Sequence, residues 1–139
     1  MTVSKHIAAP AEAVWAILAN FASVDWIPGA GEVHVQGEGP GMRRIIHGSA
    51  ATPVIETLIW VKPDQNALSY EIANSPLPVS RFRAVVTVTK NGGADAGSTA
   101  TWDINYEPVG DNASARDGIE LIYGTMAGWL EDAATGDNA

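Results

Sequence analysis

Between Ala113 and Ala133 apolar residues return every three or four positions, at Ile119, Ile122, Tyr123, Met126, Leu130 and Ala133. That period predicts one long amphipathic helix, and its apolar stripe has to be covered by something. The segments ahead of it that could cover it read as β-strand. In 98–107, Ala100, Trp102, Ile104 and Tyr106 alternate with Thr101, Asp103, Asn105 and Glu107, an antiparallel strand with one wet face. Residues 2–8, 32–36, 42–47, 54–62, 67–73 and 80–90 are strand-like too, and Gly37–Gly41 and Asn91–Gly97 are turn-rich connectors. Ala9-Pro10 opens a short helix, with the proline near the first turn, in which Val14, Ile17, Leu18 and Phe21 share a face. Pro28, Gly29 and Gly31 break the turn that follows. The order predicts an α+β fold: a curved antiparallel sheet of about seven strands wrapped around a long C-terminal helix, with short N-terminal helices. Gly118, Gly124 and Gly128 lie inside that long helix, where each costs about 1 kcal/mol against alanine. They read either as close packing against the sheet or as space left for a cavity.

The 139 residues suffice for one domain. Residues 1–134 form it, and 135–139 are a polar tail whose fraying begins near Glu131. A net charge of −8 and a pI near 4.6 exclude nucleic acid and anionic membranes as partners, since both need a dense basic face. The absence of cysteine excludes disulfides, thiolate zinc sites and a cysteine nucleophile. The apolar stretch near the start is interrupted by Pro10 and Glu12, and no run approaches the 18 or so residues of a membrane span. A cytoplasmic protein with no membrane insertion is expected. His6, His34 and His47 show no metal-ligand spacing, no Gly-x-Ser-x-Gly elbow is present, and Gly37-Glu38-Gly39-Pro40-Gly41 lacks the lysine of a phosphate loop. Neither metal nor cofactor is expected.

Four stretches carry a resemblance: Ala8-Ala9-Pro10-Ala11-Glu12-Ala13-Val14-Trp15; Phe21 through Trp26-Ile27-Pro28-Gly29; Ile55-Glu56-Thr57-Leu58 with Tyr70-Glu71-Ile72; and Thr101-Trp102 before Pro108 and the long helix. With the element order they resemble the START-like (SRPBCC) helix-grip superfamily. That group includes polyketide cyclase/dehydrases, birch-pollen-allergen-like proteins and the plant abscisic-acid receptors. The resemblance implies an apolar small-molecule ligand, lipid or aromatic, held between sheet and helix. The hormone receptors anchor a carboxylate with a lysine near the second strand. This chain has no lysine between Lys5 and Lys62, so that role does not carry over.

Alternation in 54–62 puts Glu56, Leu58 and Trp60 on one face and Ile55, Thr57, Ile59 and Val61 on the other. With the first set inward, Glu56 is a carboxylate in an apolar pocket, matching a ligand-lining glutamate of the hormone receptors. One of Arg43 and Arg44 must face inward; Arg44 shares its face with Met42 and Ile46, and would pair with Glu56 or clamp a ligand. Tyr70, Phe82, Trp102, Tyr123 and Met126 complete the expected lining, with the two tyrosine hydroxyls available for hydrogen bonds. Trp15 and Trp26 read as scaffold. Glu56 and His47 are the candidate catalytic groups, and His47–Pro53 and Ser75–Pro78 would frame the mouth. The outward set Ile55, Ile59 and Val61 would make a homodimer contact, or pack under the first helix or strand. Three functions follow: a binder of an apolar or aromatic small molecule, a polyketide cyclase/dehydratase using a cavity acid or base, or a structural module with a filled core.

Overall fold

A computed structural model describes residues 1–48, 52–75, 77–92 and 96–136. The elements run β1 (Thr2–Ile7), α1 (Ala11–Ala19), β2 (Val33–Gln36), β3 (Arg43–Ile46), β4 (Val54–Lys62), a 3₁₀ turn (Pro63–Gln65), β5 (Ala67–Ala73), β6 (Val79–Lys90), β7 (Ser98–Pro108) and α2 (Asn112–Thr135). The seven strands form one antiparallel sheet in the order β1-β7-β6-β5-β4-β3-β2. This is the α+β helix-grip arrangement. The core lies between the sheet's inner face and the helices. Ile119, Tyr123 and Leu130 of α2 and Val14 and Leu18 of α1 meet Phe82, Ala84, Val86, Ala100, Trp102 and Ile104 there.

The corner between β1 and α1 is fastened by two hydrogen bonds and a close backbone approach. Ser98 Oγ donates to Ala9 O (2.9 Å), and Ala8 N donates to Glu131 Oε2 of α2 (2.8 Å). Gly97 sits at φ +75°, where an added Cβ would run into the carbonyl oxygen of Ile7. Pro10 lies at the N-cap of α1, one residue before the helix. Its carbonyl accepts from Ala13 N and Val14 N. α1 is the one helix among the described residues ahead of β2, where short helices were expected, and turns follow it. α2 starts on Asp111, whose carboxylate accepts from Ala113 N and Ser114 N. It continues past Glu131 to Thr135, because Glu131 is tied to Ala8 and Gly136 caps the last turn by donating to Asp132 O. Of the expected tail, residues 137–139 lie outside the described residues.

Two of the three glycines in α2 sit under neighbours. A Cβ on Gly118 would be 3.1 Å from Leu77 Cδ2, and one on Gly124 3.7 Å from Lys5 Cε. Gly128 faces open space at the surface.

Candidate functional site

β3 and β4 pair so that Arg44 lies opposite Glu56. Period two sends Arg44 to the inner face beside Met42, and Arg43 outward opposite Thr57. Arg44 is 7 % exposed. Its Nε donates to Glu56 Oε1 at 2.6 Å and its Nη2 lies 2.5 Å from the same oxygen. Its Nη1 donates to Phe21 O at 3.1 Å, and its guanidinium carbon sits 4.0 Å above the Phe21 ring. A cation brought out of water thus has a carboxylate, a carbonyl and an aromatic face around it, the set of partners that such burial requires.

The second polar feature is a tyrosine pair. Tyr70 on β5 and Tyr123 on α2 are 5 % and 2 % exposed, and their hydroxyls share a 2.8 Å hydrogen bond. Phe82 stacks on Tyr123, and Trp102 tilts against it from β7. Burial raises both phenol pKa values well above the ordinary 10.0. The Glu56 carboxylate adds to the rise at both, and the Arg44 guanidinium opposes it. The four groups therefore form one electrostatic cluster, which holds both tyrosines protonated.

Beside this cluster is a void of about 20 Å³, lined by Leu18, Phe21, Trp26, Arg44, Leu68, Tyr70, Val86, Trp102 and Met126. A space of that size has room for about one water molecule. Among the expected lining residues, Arg44, Tyr70, Trp102 and Met126 border it. Glu56, Leu58, Phe82 and Tyr123 do not, and stand behind that wall as the partners of Arg44 and Tyr70 or as core. Trp26 and Phe21 border it too, although sequence pattern places them as scaffold and helix face. Leu68 and Val86 could have been found from strand parity, since each lies two residues from an inward Tyr70 or Ala84.

Two expectations about β4 are corrected. Pairing shifts between Leu58 and Trp60: Leu58 faces Tyr70, Trp60 faces Ser69 and Val61 faces Leu68. This bulge adds a residue and reverses the alternation. Trp60 therefore lies on the outer face, with Lys62 Nζ 4.6 Å over its ring, and Val61 packs against the core. Neither residue takes the place expected for it, and Val61 is withdrawn from any outer dimer contact.

His47 is not brought to the void either. Its ring meets that of His34 edge-on at 5.0 Å between centroids, and His34 Nε2 lies 3.2 Å from Glu32 Oε1. The pairing is set at the open end of the β2–β3 hairpin, away from its turn, where His47 N donates to Glu32 O. Among the described residues no three His, Asp or Glu side chains are placed to hold a metal ion. No described helix is long and apolar enough to cross a membrane. Residues 49–51 and Pro76, parts of the two expected mouth loops, lie outside the described residues.

Chemically the arrangement offers a neutralised ion pair, one hydroxyl proton left over from the tyrosine pair, and aromatic walls. Glu56 is engaged by Arg44 and is not a free base.

The profile of a family described as polyketide cyclase / dehydrase and lipid transport matches residues 1–135. No curated protein matches the chain in sequence. Among solved structures, an uncharacterized protein from Bacillus thuringiensis is similar at a TM-score of 0.84 and 23 % identity, over 97 % of this chain and 98 % of that one. Norcoclaurine synthase from Thalictrum flavum, in complex with dopamine and hydroxybenzaldehyde, is similar at 0.70 and 17 %, over 98 % and 83 %. Ara h 8.0201 is similar at 0.75 and 12 %, over 98 % and 97 %. At these identities the likeness is one of fold.

Proposed function

Because the chain belongs to the polyketide cyclase / dehydrase and lipid transport family, we propose that it binds an uncharged aromatic or apolar small molecule between the sheet and α2. The observation that carries this reading is the polar cluster buried beside the void. A core built for stability alone gains little from an ion pair, since desolvation offsets most of the attraction. Here the pair lies in the field of two protonated tyrosines, one of which, Tyr70, lines the void. That is the pattern of a ligand site: apolar walls with a few converging polar groups. The dopamine and hydroxybenzaldehyde held by norcoclaurine synthase support an aromatic occupant.

Charge argues for an uncharged one. Each guanidinium nitrogen of Arg44 already has a partner, Nε and Nη2 on Glu56 and Nη1 on Phe21 O, and the Glu56 carboxylate matches its charge. A carboxylate ligand would bring a second negative charge to a guanidinium whose charge Glu56 already balances. A hydroxyl or carbonyl needs only the spare tyrosine proton. Should turnover accompany binding, the same phenol is the proton donor that the geometry offers.

A second reading, the structural module with a filled core, is favoured by the void's small size and by the absence of unpartnered buried side-chain N or O atoms among the described residues. Thermal denaturation with 2-naphthol and 2-naphthoate separates the two. Binding predicts a melting temperature that rises with 2-naphthol concentration and not with 2-naphthoate. No rise with 2-naphthol up to its solubility would leave the filled core.

A further inference from the structure

We infer that the indole of Trp26 is the movable wall through which a ligand passes between the interior and a groove on the surface; the inference rests on the binding reading above. The groove is an open space of about 400 Å³ lined by Ala16, Ile17, Asn20, Ser23, Asp25, Trp26 and Ala133. It lies where α1 and the turns after it meet the end of α2. The void within is about 20 Å³, far too small for an organic molecule. Trp26 is the one residue that lines both spaces, and it is 6 % exposed.

The other lining residues but one stand on regular elements. Arg44, Leu68, Tyr70, Val86 and Trp102 stand on paired strands, and Leu18 and Met126 on helices. Phe21 lies just past α1, but its carbonyl is held by Arg44. Trp26 belongs to a chain of turns, closed by Ser23 N to Asn20 O, Ile27 N to Val24 O and Ala30 N to Ile27 O. The described hydrogen bonds from this segment to the rest of the fold are at its two ends. Phe21 O accepts from Arg44 Nη1 (3.1 Å), and Ala30 O accepts from Gly48 N (2.8 Å). Between these tethers, among the described residues, the turns are hydrogen-bonded only to themselves, so a swing of the segment breaks no sheet ladder and works only against the burial of Val24 and Trp26.

An indole that swings into the groove leaves behind a flat, apolar space between Phe21, Tyr70, Trp102 and Met126. Its shape is that of a bicyclic aromatic molecule, which fixes the ligand class more closely than apolarity does. Asp25 at the groove adds a negative charge on the way in and disfavours anions.

Stopped-flow binding of 2-naphthol to the wild type, Trp26→Ala and Ala16→Trp tests this. Ala16 is exposed in the groove and away from the void, so its replacement narrows the passage alone. The expected result is that Trp26→Ala raises association and dissociation rates together, at least tenfold, while Ala16→Trp slows both with the melting temperature unchanged. An enlarged cavity without a door would slow dissociation instead. If 2-naphthol binds and neither variant alters its rates, the passage lies elsewhere and the binding reading stands. If it binds none of the three proteins, the binding reading fails and the passage with it. Should Trp26→Ala not fold, Trp26→Leu and Ala16→Trp give the same two comparisons.

Discussion

Removing both members of the Arg44–Glu56 pair is expected to be less damaging than removing either one. The two side chains are 8 % and 12 % exposed, so water screens them little. Glu56→Leu leaves a guanidinium that cannot lose its proton, supported only by Phe21 O and the Phe21 ring. Arg44→Met leaves a carboxylate facing the tyrosine pair and frees the Phe21 carbonyl. Each single change should cost about 3–5 kcal/mol, the usual consequence of orphaning a buried charge. The double variant Arg44→Met/Glu56→Leu buries no charge. What it loses is the acceptor bond at Phe21 O and some packing, about 1–2 kcal/mol. Urea denaturation of the four proteins at pH 7, with slopes checked for a common value, gives the cycle. Singles that each cost under 1 kcal/mol would mean that water reaches the pair. A double variant weaker than both singles would mean that the pair acts through shape, and the argument for a neutralised interior would be lost.

Two further outcomes follow from features already described. Tyr70 and Tyr123 have raised pKa values, mainly from burial, so the folded state holds their protons more tightly than the unfolded chain does. That contribution to stability is complete below the unfolded value near 10.0 and is lost as the pH rises beyond it. Phenolate absorbance from these two residues should thus appear together with alkaline unfolding; ionisation of both while near-ultraviolet circular dichroism is still native would contradict their burial. Gly97→Ala combines a left-handed backbone with a Cβ against Ile7 O, and should cost roughly 2 kcal/mol or more in urea denaturation; a change under 0.5 kcal/mol would show that this corner yields easily.

β7 and α2 were legible because their periods are long and uninterrupted. β4, β5 and β7 begin where the sequence puts them, and α2 gains only the turn that Glu131 and Gly136 hold. That one of the two adjacent arginines points inward was legible as well, because neighbours on a strand face opposite ways; that it is Arg44 depends on the register with β4. Three things were not. The bulge after Leu58 leaves no mark in composition, so alternation carried Trp60 to the wrong face. Trp26 lies in turns, which have no period from which a facing could be read. The meeting of His34 and His47 depends on how the β2–β3 hairpin closes, a distance that sequence spacing does not measure.

The bulge in β4 also makes that strand tolerant in length. Removing Ile59 would leave Leu58, Trp60 and Val61 in plain alternation, still in, out and in. The strand thus has an expansion joint: it can shorten by one residue there without exchanging its faces. Shortening it between Val54 and Glu56 would instead disturb the register that sets Glu56 opposite Arg44. Variation in length and variation in chemistry are thereby confined to different halves of one strand, and relatives of different β4 length should be aligned from Glu56 outward.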